Sequence, residues 1–321
     1  MTRSSKKSVS RVVLGSGIVL GAMVALVVAL LWYRPMVRPG PDIADQTIVL
    51  PGAIEGLRLH VFNTGMNRMS WLLVGNARPW RPNPAFVIAH PSKGLVVFDT
   101  GFCLEVARRG EAAYPFPMRF LIQSIGQPSR ALDAQMIEAG LDPLDVGLVI
   151  LSHLHDDHTG RIAAFPNASV IAGPQSQAAL KKRALTAQRQ MIDFEAASPL
   201  PPFDGSIDLF GDGSLSLLPG GGHTAEDLMV LVALGEGPAL LAGDAIVHRD
   251  WLASDDVQRI AAHPERAAQV RNQVRALLRE QPSIALFPGH DTPPAVSHRD
   301  ILIHHPDWFK LSAWGPERAQ E

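Results

Sequence analysis

The first feature of the apolar pattern is a run of twenty residues, Val12 to Leu31, without a single charge. At a rise of 1.5 Å per residue such a run measures about 30 Å, the thickness of a bilayer's hydrocarbon core, so the pattern predicts one transmembrane helix over 12–33. Trp32 and Tyr33 close it where amphipathic rings prefer the membrane interface. Four basic residues precede the run (Arg3, Lys6, Lys7, Arg11) and two follow it (Arg34, Arg38). The positive-inside rule then predicts a cytoplasmic segment over 1–11 and the following domain on the periplasmic or extracellular side. A cleaved signal peptide is the alternative, but its apolar core is about 7 to 15 residues long and ends at small residues, whereas this run ends in Leu-Leu-Trp-Tyr-Arg. Pro35, Pro39, Gly40 and Pro41 mark 34–50 as a stiff linker, leaving 51–321 as the folded domain.

Within that domain the pattern is one of short apolar runs broken by turn residues. Strands are predicted at Leu57–Phe62, Ser70–Val74, Ala85–Ala89 and Leu95–Asp99, the last two joined as a hairpin through Pro91-Ser92-Lys93-Gly94. A helix is predicted from Arg130 to Ala139, capped by Ser129 and ended by Gly140. Leu148–Leu151 has the composition of a buried strand. Further strands are predicted near Ser169–Ala172, Ile207–Phe210, Leu215–Leu218, Leu228–Leu234, Ala239–Leu241 and Ile284–Phe287, with a helix near Pro264–Arg279. Residues 175–194, with Lys181, Lys182 and Arg183, read as an external helix with a solvated charged face. Such a succession implies packed sheets with helices outside.

Composition narrows the function classes. The chain of 321 residues carries a net charge of −2, but the first 41 residues hold six basic side chains and no acid, leaving 23 basic against 31 acidic residues and a net −8. A nucleic-acid-binding surface needs clustered positive charge and is not expected. Cys103 is the only cysteine, so no intramolecular disulfide can staple the domain.

The chemistry is concentrated after Leu148–Leu151, where the chain reads Ser152-His153-Leu154-His155-Asp156-Asp157-His158-Thr159-Gly160. Imidazole and carboxylate are the ligands zinc takes when no thiolate is offered, and a turn at the end of a rigid strand can aim several at one point. Three more apolar runs each lead directly into a ligand-type residue among glycines: Leu215–Leu218 into Gly220-Gly221-Gly222-His223, Ala239–Leu241 into Gly243-Asp244, and Ile284–Phe287 into Gly289-His290. Leu95–Phe98 leads in the same way into Asp99-Thr100-Gly101.

Asp99-Thr100-Gly101, the H-x-H-x-D-H of residues 153–158, His223, Asp244 and His290 together resemble the full motif set of the metallo-β-lactamase superfamily, over nearly all of residues 55–292. The resemblance implies an α/β fold, the metallo-β-lactamase-type αβ/βα sandwich, before which the apolar run adds one transmembrane helix. It implies two divalent metal ions, zinc before iron or manganese, at one edge of the sheets: His153, His155 and His223 on the first, Asp157, His158 and His290 on the second, and Asp244 bridging. Asp99 would steady the ligand loops from outside. Within the superfamily the motifs are most similar to the N-acyl-homoserine lactonase branch. True class B β-lactamases carry Cys or Ser where Asp244 stands.

The same resemblance implies a dinuclear hydrolase of a lactone or other ester, working through a metal-bridging hydroxide with Asp157 and Asp244 as the carboxylates at the chemistry and Asp157 passing a proton to the leaving group; with the apolar run before it, the enzyme is expected to be membrane-anchored. A thioesterase or phosphodiesterase on the same site is the alternative, and a non-catalytic metal-binding protein a weaker one. The lactonases as a family often place a tyrosine three residues after the bridging aspartate; this chain has Val247 there, with His248 next. The segment Phe102–Gln127, with Tyr114, Phe116, Met118 and Phe120, reads either as a wall for an apolar small-molecule substrate or as ordinary core, with Met66, Met69 and Trp251 as further wall candidates.

Overall fold

The computed structural model describes residues 43, 47–74, 79–173, 176, 189–190, 194, 197–255, 259–295 and 297–314. The predicted anchor over 12–33, the segment 1–11 and most of the linker lie outside the described residues, as does most of the predicted helix over 175–194. Among the described residues no helix is long and apolar enough to cross a membrane.

Two sheets carry the domain. The first has eight strands, in the order β14 (Ile301–Ile303), β1 (Arg58–Met69), β2 (Arg81–His90), β3 (Gly94–Phe98), β5 (Val146–Ile150), β6 (Ser169–Ile171) and β7 (Arg189–Gln190), with β4 (Ile122–Ile125) pairing the far end of β1. The second has six, in the order β13 (Ala285–Pro288), β12 (Ala239–Gly243), β11 (Leu228–Val232), β10 (Leu215–Pro219), β9 (Phe203–Asp208) and β8 (Ser198–Leu200).

Side-chain alternation explains the layers. In β11, Leu228, Val230 and Val232 join the central cluster with Val96, Phe98 and Ile150 of the first sheet, while Met229 and Leu231 turn outward. Those outward residues pack on Val270, Val274 and Leu277 of the helix Pro264–Glu280. On the other side, Val97, Val149 and Leu151 pack with Leu132 and Met136 of the helix Leu132–Glu138. Strands buried on both faces need apolar residues at every position, which is why they appear in the sequence as unbroken runs. The result is the αβ/βα sandwich.

Several local expectations are corrected. Ser70–Val74 is not a strand: Trp71–Val74 is one helical turn, begun where Ser70 N donates to Leu121 O at 2.7 Å. The helix expected from Arg130 begins only at Leu132, after a 3-10 turn at Pro128–Arg130, and Ser129 does not cap it. Within 175–194, Arg189–Gln190 is a short parallel strand beside β6 rather than helix. The apolar pattern does not predict β4, β8 or β14; they are three or four residues long, too short to show a period.

Candidate metal centre

All the ligand-type residues named from the sequence sit just past the C-terminal ends of β3, β5, β10, β12 and β13, at one edge of the sandwich. Their side chains converge in two groups. His153, His155, His223 and Asp244 each bring one donor atom to within 4.8 Å of the others, and Asp157, His158 and His290 do the same. In the first group His153 Nε2 lies 2.7 Å from His155 Nδ1, His223 Nε2 lies 3.1 Å from His155 Nδ1, and His223 Nε2 stands 3.3 Å from Asp244 Oδ2. Asp244 Oδ1 faces the second group, 3.6 Å from His158 Nε2 and 3.4 Å from His290 Nε2, while Asp157 Oδ2 is 3.5 Å from His290 Nε2. Asp244 therefore reaches both groups, one oxygen to each. His155 is exposed at the mouth and Asp157 partly so; the other five are buried.

The backbone makes this possible at specific points. A Cβ at Gly289 would overlap Asp244 Oδ1, so the chain after β13 must carry glycine for the aspartate of β12 to occupy its place. Asp99 has φ +57, a left-handed conformation unusual for a residue with a Cβ. Its carboxylate holds it there: Oδ1 accepts from Ser152 N at 2.7 Å, and Oδ2 accepts from Ser152 Oγ and from His158 Nδ1, both at 2.7 Å. Asp99 thus orients His158 and the turn that begins the motif.

Charge follows the same division. Burial drives the His153 imidazole well below its ordinary value, with His158 adding to the effect; partial desolvation and then His223 lower His155. Both rings thus offer lone pairs. Burial would also lower His158, but the carboxylates of Asp99, Asp157 and Asp244 outweigh it and raise the group to about 10. Burial would raise Asp244, yet His290, His223, His158 and His153 hold it well below the usual carboxylate range.

The donor set fits a divalent cation. His158 gives its Nδ1 proton to Asp99, and its buried Nε2 makes no hydrogen bond; Asp244 Oδ1 at 3.6 Å is too distant for one. A cation at that nitrogen would replace its proton. In the first group, three imidazole nitrogens and a carboxylate oxygen face one another, an arrangement that repels unless a proton or a cation lies among them.

Several residues that the sequence did not mark complete the site. Asn67 Nδ2 donates to Asp157 Oδ2 at 2.7 Å, Ser124 Oγ donates to Asn67 Oδ1 at 2.8 Å, and the Tyr114 hydroxyl lies 2.9 Å from Ser124 Oγ. Asn83 Nδ2 donates to Asp157 O at 2.8 Å, and the Pro82 carbonyl receives His290 Nδ1 at 3.0 Å. No local motif signals these contacts, since Pro82 and His290 are 208 residues apart. His248 does not enter the cluster. It caps the turn Arg249–Ala253, with Nε2 3.3 Å from Asp291 Oδ1 and Nδ1 3.3 Å from Asp250 Oδ2. The segment Phe102–Gln127 divides: Phe102 is core and Tyr114 is tied to the site through Ser124, but Phe116 and Phe120 are exposed, at 76% and 66%. Met66 is buried in the core, while Met69 and Trp251 are only partly exposed.

Two packed sheets with helices outside, and a cluster of histidines and aspartates at their strand ends, define a metal-dependent hydrolase. Residues 78–290 match the metallo-beta-lactamase superfamily, and the chain belongs to that family. Its similarity runs to the lactonase branch. The N-acyl homoserine lactonase AttM of Azorhizobium caulinodans is 30% identical over 246 residues, covering 73% of this chain and 89% of that protein. The probable metallo-hydrolase Rv2300c of Mycobacterium tuberculosis is 27% identical over 255 residues, covering 70% and 76%. Among solved structures, a substituted AiiA of B. thuringiensis with N-decanoyl-L-homoserine bound at its active site superposes with a TM-score of 0.61 at 20% identity, over 76% of this chain and 94% of that one. The dizinc quorum-quenching lactonase AidC gives 0.54 at 14% identity, over 78% and 92%.

Proposed function

We propose that this protein is a dinuclear metal hydrolase that opens a lactone or other ester bond of an apolar small molecule, held at a membrane by the helix over 12–33. The observation that carries the reading is the division of seven donors into two groups that share Asp244. His153, His155 and His223 would hold one divalent ion, zinc first among the candidates, and Asp157, His158 and His290 the other. Bound there, such ions supply Lewis acidity and a water of lowered pKa. The chain's own residues supply the rest. Asp99 and Asn67 keep His158 and Asp157 in place, Asp244 ties the two groups, and Asp157, at the partly open edge, would carry a proton toward a leaving alcohol. The lactonase names among the relatives support ester chemistry, as does the aspartate at 244.

The test is metal content and turnover of the full chain and of Asp244→Ala on a panel of N-acyl homoserine lactones, aryl esters, thioesters and bis(p-nitrophenyl) phosphate. The expected result is two ions per wild-type chain, hydrolysis of lactones or esters, and a loss of about 10³-fold or more in the variant, since several kcal/mol of transition-state stabilisation depend on the ions. Turnover of the phosphate diester or the thioesters alone would move the assignment to those classes, and one ion per chain would remove the dinuclear reading. The anchor is tested by fractionation: the reading requires the chain in the membrane fraction with its N-terminus intact.

A further inference from the structure

Arg81, the first residue of β2, is a half-buried arginine beside the candidate metal centre that takes no part in the proposed reaction. Across the β1–β2 ladder it stands opposite Asn67, and directly paired residues of adjacent strands send their side chains to the same face of a sheet. On that face Asn67 holds the carboxylate of Asp157 at 2.7 Å. The next residue along, Pro82, orients His290 through its carbonyl at 3.0 Å. Arg81 therefore belongs to the side of the centre formed by Asp157, His158 and His290.

Its electrostatic neighbours are Asp244, Asp291 and Asp250, and each is engaged elsewhere. Asp244 is surrounded by His158, His223 and His290 at 3.6, 3.3 and 3.4 Å. Asp291 is bound by Arg249, whose Nε donates to Oδ2 at 2.6 Å, and by Thr292 N and His248 at Oδ1, at 2.7 and 3.3 Å. The Asp250 side chain is 87% exposed and lies 3.3 Å from His248. The Arg81 side chain itself makes no hydrogen bond or ion pair among the described residues. Burial lowers its pKa, so the surroundings already disfavour the charge that Arg81 carries. A half-buried guanidinium without a partner is costly to keep, and its planar fork matches an oxyanion with two parallel hydrogen bonds.

We infer that Arg81 is the anion-recognition residue of this site, holding a carboxylate or similar oxyanion carried by the ligand on the Asp157–His290 side of the centre. The inference rests on the hydrolase reading and changes one part of it: the preferred ester is not wholly apolar but carries a negative charge within an arginine's reach of the scissile bond. Hydrolysis of an ester also releases a carboxylate, so the same residue would hold an acid product.

The test uses the zinc-loaded full chain and the variants Arg81→Gln and Arg81→Lys. Two matched esters are compared, phenyl acetate and monophenyl glutarate, and binding of glutarate itself is measured by calorimetry, with no turnover needed. In R81Q the KM for the anionic ester, relative to the neutral one, rises about tenfold or more and glutarate binding weakens to match; R81K, which keeps the charge but loses the fork, falls between. Equal KM ratios and equal glutarate affinity in all three proteins would overturn the assignment. Metal content is measured on each: if R81Q loses zinc, R81K decides. A wild type that hydrolyses neither ester would sink the esterase reading, while calorimetry still decides whether Arg81 takes the anion.

Discussion

The two ligand groups are held in different ways. Asp157, His158 and His290 are each gripped from outside the cluster, by Asn67, Asp99 and the Pro82 carbonyl, so their donor atoms are aimed before any ion arrives. His153, His155 and His223 also close on one another, at 2.7 and 3.1 Å, with Ser152 Oγ 3.0 Å from His153 Nδ1, on loops shaped by glycine and by the Asp227 carboxylate, which accepts from Thr224 N and Thr224 Oγ1 at 2.8 and 2.7 Å. Each ligand of the second group has its own polar support, while in the first the imidazoles bear directly on one another. Outer partners of this kind are worth about 10–100-fold in metal affinity, so the second group depends on residues far from the motifs that define it.

That contrast can be broken experimentally. The largest effect is expected for Asp99→Ala: an affinity loss of about 10–100-fold at the second group, with a smaller loss at the first, where Ser152 Oγ also touches His153 Nδ1 at 3.0 Å. Two-site metal titration checks it, and equal losses at both groups would erase the distinction. Asn67→Ala comes next, weakening only the ion held by Asp157, by about tenfold, with kcat falling more than KM rises because the carboxylate is no longer fixed.

The smallest effect concerns pH. In the folded, metal-free chain His158 keeps its proton up to about 10, against 6.5 for the ordinary side chain. Its stabilising contribution is thus complete below 6.5 and disappears as pH climbs through 10. Metal-free protein should lose Tm between about pH 7 and 10, while the metal-loaded form, whose ion has displaced that proton, should lose less. Parallel pH curves for the two forms would mean that His158 holds no ion.

Much of the centre is legible in the chain because its ligands follow strands buried on both faces. Such runs are apolar, and the polar residue at which each stops marks the exit from the core: Asp99, Asp244 and His290 are found in this way, and His153 directly after Ser152. The supports of those ligands leave no such mark. Asn67 is one residue of a long strand, and its meaning lies in Asp157, 90 positions away. Ser124 belongs to a four-residue strand with no periodic signal. Ser70–Val74 is rich enough in apolar residues to pass for a strand, yet Ser70 pairs its backbone with Leu121 and the chain turns.

The amino-acid order by itself determined the chemistry on offer: which imidazoles and carboxylates exist, that each follows a buried strand, that no thiolate competes, and that a twenty-residue apolar run precedes the domain. Tertiary structure alone decided the distances at which those groups meet, which oxygen of Asp244 faces which group, and that the Arg81 side chain makes no hydrogen bond or ion pair among the described residues. Strand composition is a local property, set by the water each position must avoid. Hydrogen-bond partnership is not, since donors and acceptors meet only where two sheets bring distant segments to one edge.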